Sequence, residues 1–147
     1  MTFSSMTTNA ALKIVVDTNL FLSVFVFRGM MMQEVFDLVL AKKICMYFSP
    51  ALKTELQRKM QHFQVGKSEQ DGVLSFIEMS GAVIKPQIHT NASSDPKDNF
   101  LLELAQTANA DYLITRDKDL LDLHIWKGTI IMKPEDFLPL LRKIKLL

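Results

Sequence analysis

The stretch Ile14-Val15-Val16-Asp17-Thr18-Asn19 decides the fold, because it joins three β-branched residues directly to three polar ones. Such a run is typical of a buried parallel strand that ends at a polar sheet edge. Similar short apolar runs stand at Ile44–Phe48 and Tyr112–Ile114, and a helical pattern with one apolar face covers 31–42. Strands that alternate with helices predict an α/β fold, in which helices cover both faces of a parallel sheet.

The rest of the chain continues this alternation without a linker or an internal repeat. Residues 1–9 are mostly Ser, Thr and Met, so we expect a flexible extension over 1–12 and one domain over 13–147. The sheet is expected to have four to five strands. The further elements expected are helices at 20–27, after Ser49-Pro50, after Gly66, from Asp95, up to 123 and from Pro134, and strands at 82–84 and within 125–132.

Composition limits the classes of function. The chain has 147 residues, of which 48% are hydrophobic and 22% charged, which suits one folded domain with a core. A formal net charge of +1 means that any affinity for RNA must come from local clusters of charge. One cysteine and three scattered histidines exclude a disulfide framework and a Cys/His zinc site. We expect a cytoplasmic protein without a membrane segment, since the sequence shows no secretion signal and no apolar run of about 20 residues.

Four acidic residues fall where the predicted strands end or the neighbouring helices begin. Asp17 ends the first strand, and Asp117 follows the fourth. Asp98 lies in the first turn of the helix before that fourth strand, and Glu55 lies early in the helix after the second strand. Ligands of open parallel sheets bind at the carboxyl ends of the strands, so we expect these four side chains to converge there.

Carboxylates that converge repel one another, and a divalent cation is the usual compensation. Oxygen-only ligands favour Mg²⁺ or Mn²⁺ over zinc. A cation held in this way, with open water positions, can clamp a phosphodiester and activate a water for in-line attack. The sequence therefore indicates a metal-dependent phosphodiester hydrolase. Its expected catalytic ligands are Asp17, Glu55, Asp98 and Asp117.

Each acid also has an ordinary structural alternative. Asp17 could cap the helix that follows it, and Asp117 could start the short helix after the fourth strand. Asp95 and Asp98 stand where acids stabilise a helix start whatever the protein does. Glu55 could be a solvated acid on an amphipathic helix. The case for a site therefore depends on these acids meeting at one edge of the sheet.

The ordered motifs of the chain resemble those of PIN domains. The stretch 14–19 resembles their opening, 49–56 (SPALKTEL) their second-acid helix, 95–99 (DPKDN) with 102–105 (LELA) their third-acid motif, and 110–121 (ADYLITRDKDLL) their fourth. The motifs span about 13–132, and the resemblance is strongest to prokaryotic toxins of the VapC type from toxin–antitoxin pairs. One departure follows the first helix, where Arg28-Gly29 runs into three methionines.

This resemblance implies a three-layer α/β/α sandwich with sheet order 3-2-1-4-5. It also implies a Mg²⁺- or Mn²⁺-dependent endoribonuclease that cleaves single-stranded RNA, forms a homodimer or higher oligomer and pairs with a small antitoxin protein. The matching residues are the acid quartet Asp17, Glu55, Asp98 and Asp117, the accessory metal ligand Asp119, and the ligand-orienting residues Asn19, Thr115 and Asp95.

Two surfaces are expected beside the site. Basic residues that neighbour the proposed ligands in sequence are expected to bind RNA phosphates. These residues are Lys53, Lys97, Arg116 and Lys118. The stretch 21–27 and the methionines at 30–32 are too apolar for an ordinary surface helix, which favours an interface with a second copy or an antitoxin. The alternative is that the helix at 31–42 covers this stretch within the same domain.

Three other functions are open to an α/β chain with an acid at a strand end. One is a PIN-like module that binds RNA or protein without turnover. A phosphatase of the haloacid-dehalogenase type needs a second Asp two residues after Asp17, where this chain has Asn19. A phospho-receiver domain needs an acid pair at the first strand and a Lys at the end of a late strand, and the sequence has neither.

Overall fold

The computed structural model describes residues 11–26 and 29–147. The strands are β1 (Leu12–Val16), β2 (Ile44–Phe48), β3 (Gly81–Val83), β4 (Tyr112–Ile114), β5 (Ile125–Trp126) and β6 (Thr129–Met132). The helices are α1 (Thr18–Phe25), α2 (Gln33–Leu40), α3 (Pro50–His62), α4 (Lys67–Ser80), α5 (Asn99–Ala108), α6 (Lys118–Leu121) and α7 (Pro134–Lys143), and a 3-10 turn, Pro96–Asp98, leads into α5. The predicted extension over 1–12 lies outside the described residues as far as residue 10, and β1 already begins at Leu12.

The strands form one sheet with the order β3-β2-β1-β4-β6-β5, and every pair is parallel except β5 with β6. The predicted order 3-2-1-4-5 is confirmed for the parallel strands, with β6 in the fifth place. The prediction of one strand within 125–132 is wrong, because the chain reverses between Trp126 and Thr129. Lys127 and Gly128 form the turn with φ of 49° and 87°, the positive values of a two-residue hairpin loop. The sheet therefore has one strand more than the four to five expected.

Helices cover both faces of the sheet. Ile14, Val15 and Val16 are all fully buried, although successive side chains of a strand point to opposite faces. A strand buried on both faces is typical of a parallel sheet between two helical layers. The three-layer α/β/α architecture is therefore as predicted. No helix in the described ranges is long and apolar enough to cross a membrane.

The apolar stretch that suggested an interface packs mostly inside the domain. Phe21 lies 5.1 Å from Phe36 of α2, and Phe36 lies 5.0 Å from Phe76 of α4, measured between ring centroids. Phe21, Leu22, Val24 and Met32 are buried. This arrangement favours the alternative that neighbouring helices cover the stretch. Phe27 and Arg28 lie outside the described residues, while Met30 is 78% exposed.

Backbone hydrogen bonds bring the carboxyl ends of the central strands together. The amide of Asp17 donates to the carbonyl of Ile114, and the amide of Thr115 donates to that of Met132, both at 3.0 Å. At the end of β2, the Ser49 hydroxyl accepts the Leu52 amide at 3.1 Å and so caps α3. The end of β1, the end of β4 and the start of α3 therefore share one edge of the sheet.

Candidate active site

Asp17 is a buried carboxylate that is held by hydroxyl groups. It is 7% exposed, its Oδ2 accepts the Thr115 hydroxyl at 2.7 Å, and its Oδ1 accepts the Thr18 hydroxyl at 3.3 Å. Asp17 occupies the N-cap position of α1, but its side chain makes no capping hydrogen bond. The carboxylate is thus fixed across the strand ends and does not serve as the helix cap.

Asp98 carries an unsatisfied oxygen in the same region. Its Oδ2 is buried and has no hydrogen-bond partner among the described residues. Burial raises the pKa of Asp98 to about 7; a hydrogen bond that protonated Asp98 can share with the Asp117 carboxylate is the second cause, and the charges of Asp117, Asp17 and Asp95 add to the effect. A buried carboxylate oxygen without a donor is costly unless a proton or a cation reaches it. Asp98 is therefore the acid that most needs a positive partner.

Two further acids complete a tight group around Asp98. Asp95, Asp98 and Asp119 each offer one carboxylate oxygen, and these oxygens lie within 4.8 Å of one another. Asp95 also accepts the Lys97 amide at 3.0 Å, and Asp117 accepts the Asp119 amide at 2.8 Å. Asp95 and Asp117 therefore do cap their helices, but each cap bond uses a single carboxylate oxygen.

Glu55 lies on the rim of the cleft, which Asp17 and Asp98 also line. Its oxygens accept Arg58 Nη2 at 2.5 Å and Arg58 Nε at 3.2 Å, which makes a two-point ion pair. The hydrogen bond from Arg58 is the main reason that the pKa of Glu55 is lowered. Glu55 thus reaches the predicted edge, where Arg58 already balances its charge.

Lys59 is a site residue that was absent from the sequence prediction. Its Nζ donates to the Thr18 hydroxyl at 2.8 Å and to Asn19 Oδ1 at 2.9 Å, and it lines the cleft beside Glu55. Lys59 stands four residues after Glu55, so both side chains project from the same face of α3. This spacing is the signal in the sequence that could have found it.

The four predicted RNA-binding residues lie in different surroundings. Lys97 lines the cleft with Asp98, and Arg116 lines an adjoining cleft with Asp17 and Asp117. Arg116 also pairs with Glu135 of α7, and Lys118 pairs with Asp122 at 2.8 Å. Lys53 is half-buried on α3 and is not among the residues that line these two clefts.

The donor set fits a hard divalent cation. Every candidate ligand is a carboxylate, and oxygen-only sites of this kind suit Mg²⁺ or Mn²⁺. The buried oxygen of Asp98 and the nearby carboxylates of Asp95 and Asp119 offer a cation several oxygen ligands close together. Asp17 lines both adjoining clefts and therefore joins this group to Asp117 and Arg116.

Comparisons with known proteins bear on the family and the fold. A family model described as PIN domain matches residues 13–119. The uncharacterized protein MJ1680 of Methanocaldococcus jannaschii is 28% identical over 117 residues, which cover 76% of this chain and 75% of that protein. The crystal structure of VapBC2 from Rickettsia felis bound to a DNA fragment from their promoter matches with a TM-score of 0.58 at 17% identity, over 83% of this chain and 98% of that chain. At that identity, the structural likeness shows the fold alone.

Proposed function

The chain belongs to the PIN-domain family, and from this premise we propose that it is a Mg²⁺- or Mn²⁺-dependent endoribonuclease that cleaves single-stranded RNA. The observation that carries the proposal is the buried oxygen of Asp98, which accepts no hydrogen bond from the described residues and lies in a cleft that Asp17, Glu55 and Asp95 also line. Carboxylates this close together are stabilised by a shared proton or by a cation, and the proposal assigns the cation.

In this proposal, the role of each acid as a cation ligand follows from the hydrogen bonds and ion pairs that it already makes. Asp17 and Asp98 are the main cation ligands, because neither carboxylate accepts a hydrogen bond from Lys or Arg in the described part of the chain. Asp117, Asp95 and Asp119 supply further oxygens. Glu55 is an outer ligand whose charge is shared with Arg58. When bound, the cation supplies Lewis acidity toward the scissile phosphate and the attacking water.

Hydroxyl groups and cations of the chain perform the remaining tasks. Thr115 and Thr18 hold the two Asp17 oxygens in place, so the carboxylate needs no rearrangement when a cation arrives. Lys97 and Arg116 each line one of the two clefts that Asp17 shares, and they can bind the phosphates next to the scissile bond. Basic groups that flank an acidic centre would draw RNA to the site despite the small net charge.

We further propose that the protein is the toxin of a toxin–antitoxin pair and is held by a small antitoxin protein. The similarity of its fold to VapBC2 from Rickettsia felis supports this proposal. The first test is whether a short reading frame lies next to the gene; its product is then co-expressed with this chain. We expect the two proteins to co-purify, and we expect co-expression to relieve the growth inhibition caused by this chain alone. A neighbouring gene product that neither binds nor protects would contradict the proposal. We also propose that the chain forms a homodimer or higher oligomer. Light scattering on the purified chain measures its oligomeric state.

The activity is tested with a fluorogenic single-stranded RNA. Cleavage in Mg²⁺ or Mn²⁺ is expected, together with complete loss in excess EDTA and recovery when Mn²⁺ is added back. Equal turnover in EDTA would exclude the metal mechanism. Tight RNA binding without any cleavage in either metal would favour the PIN-like binding module instead.

A further inference from the structure

Lys59 connects helix α3 to the polar residues that follow β1. Its Nζ donates to the Thr18 hydroxyl at 2.8 Å and to Asn19 Oδ1 at 2.9 Å. Two of the three N–H donors of the ammonium group are therefore used by neighbouring side chains. Fixing a lysine side chain costs conformational entropy, and these two hydrogen bonds offset that cost.

The contact with Thr18 determines how that hydroxyl binds Asp17. A hydroxyl group has one proton to donate and accepts through its lone pairs. Because Thr18 accepts from Lys59, its proton is directed to Asp17 Oδ1, which lies 3.3 Å away. The other oxygen, Oδ2, accepts the Thr115 hydroxyl at 2.7 Å. Both oxygens of the buried carboxylate are thus oriented, one of them through Lys59.

The same contact places a positive charge inside an acidic cleft. Lys59 lines this cleft with Asp17, Glu55, Asp95 and Asp98. The pKa of Glu55 is lowered first by Arg58 and to a smaller extent by the Lys59 charge. A permanent cation at this position must weaken the binding of a second cation, because like charges repel through the shared cleft.

We propose that Lys59 is a positioning residue of the nuclease site, which sets the orientation of Asp17 and Asn19 at the expense of some affinity for the divalent cation. This inference rests on the proposed ribonuclease function. It assigns Lys59 two separable effects, one that depends on geometry and one that depends on charge. Orientation acts on the chemical step, whereas charge acts on cation binding.

The two effects predict opposite changes in Lys59→Met, which keeps an unbranched side chain with good helix propensity. The turnover number on single-stranded RNA should fall about 10–100-fold, as is usual when a partner that orients a metal ligand is lost. The KM for RNA should stay within about twofold. The dissociation constant for Mn²⁺, measured by calorimetry without RNA, should fall by roughly threefold or more.

Lys59→Arg separates charge from geometry. The guanidinium group keeps the positive charge, so the Mn²⁺ dissociation constant should match that of the wild type. Its planar fork cannot reproduce the two contacts of a compact ammonium, so turnover should stay low. The matched control is Lys43→Met. Lys43 directly precedes β2 at the opposite edge of the sheet, and its loss should change neither quantity.

Each outcome decides the inference. Lower turnover with tighter Mn²⁺ binding in Lys59→Met supports it. Unchanged turnover, or a KM that rises while turnover is constant, overturns it, since the second result marks a phosphate contact. Turnover and Mn²⁺ affinity that fall together with the melting temperature also overturn it, because they indicate a purely structural role. If the wild-type protein neither cleaves RNA nor binds Mn²⁺, the proposed ribonuclease function is wrong. The measurements on the wild type alone show this, whatever the variants do.

Discussion

The acidic residues deep in the cleft differ from those at its rim in their hydrogen-bond and ion-pair partners. In the depth, Asp17 accepts only hydroxyl donors, and Asp98 has a buried oxygen without any donor among the described residues. On the rim, Glu55 pairs with Arg58, and Arg116, which lines the adjoining cleft, pairs with Glu135 of α7. Glu55 and Glu135 thus have ion-pair partners, whereas Asp17 and the buried oxygen of Asp98 have none among the described residues. Since buried charge is the more costly kind, this difference points to an external cation in the depth.

The largest effect is expected when the charge of a deep acid is removed. Asp17→Asn keeps the volume and one of the two acceptor oxygens; removal of the charge lowers affinity for the cation and reduces RNA cleavage by at least about 100-fold. The assay is Mn²⁺-dependent cleavage of single-stranded RNA. Asp71→Asn, which alters an exposed acid of α4, is the control and should retain full activity. Comparable loss in both variants would remove the distinction between depth and rim.

A smaller effect is expected when the orientation of Asp17 is disturbed. Thr115→Val removes the buried hydroxyl that donates to Asp17 Oδ2 and should cost about 1–3 kcal/mol of stability, with about 10–100-fold lower turnover. Thr129 offers a matched control, because its buried hydroxyl donates to the Ala110 carbonyl at 2.7 Å, away from the site. Thr129→Val should lose similar stability by chemical denaturation and keep its turnover. Equal turnover in the two variants would contradict the role of Thr115.

Thermal stability tests the unpartnered oxygen of Asp98. Without metal, Asp98→Asn should melt a few degrees above the wild type, because it removes a carboxylate that is repelled by its neighbours. The wild type should gain about 2.7 kcal/mol at a hundredfold excess of Mn²⁺ over its dissociation constant. The variant should gain much less. If both proteins respond to Mn²⁺ alike, Asp98 is not a cation ligand.

The smallest effect concerns the rim. In an Asp17→Asn background, which prevents cleavage, Arg116→Ala should reduce the slope of log affinity for RNA against log salt by about one unit. Glu135→Gln removes the partner of Arg116 and should raise RNA affinity at low salt. Fluorescence anisotropy with labelled RNA measures both changes. A slope that does not change in Arg116→Ala would exclude this residue from the RNA path.

The sequence predicted the strands well where hydrophobicity and polarity change abruptly. The ends of β2 and β4 agree with prediction to the residue, because both runs stop directly at polar residues. The β5–β6 hairpin was missed, since its turn uses Lys127 before Gly128 where Asn or Asp is the usual signal. The sequence also could not decide whether the apolar stretch 21–27 forms an interface or packs inside the domain. The answer depends on how closely α2 and α4 approach it in three dimensions.

The site was predicted as a set of residues, but the sequence could not assign their hydrogen bonds. The carboxyl ends of parallel strands meet at one edge, which suffices to bring Asp17 near Asp117. Whether Glu55 faces a cation or Arg58 depends on a side-chain rotamer, and both partners lie within one helical turn. The spacing from Glu55 places Lys59 on the same face of α3, but its partners Thr18 and Asn19 are identified only by the contact between α3 and the start of α1.

The most direct test of a cation site in the depth of the cleft is anomalous diffraction from crystals soaked in Mn²⁺. We predict a peak at coordination distance, about 2.0–2.4 Å, from Asp98 Oδ2 and one oxygen of Asp17. The peak should vanish in Asp98→Asn crystals soaked in the same way. A well-ordered crystal without a peak there, or with a peak confined to the rim at Glu55, would contradict the assignment of the deep carboxylates as the metal centre.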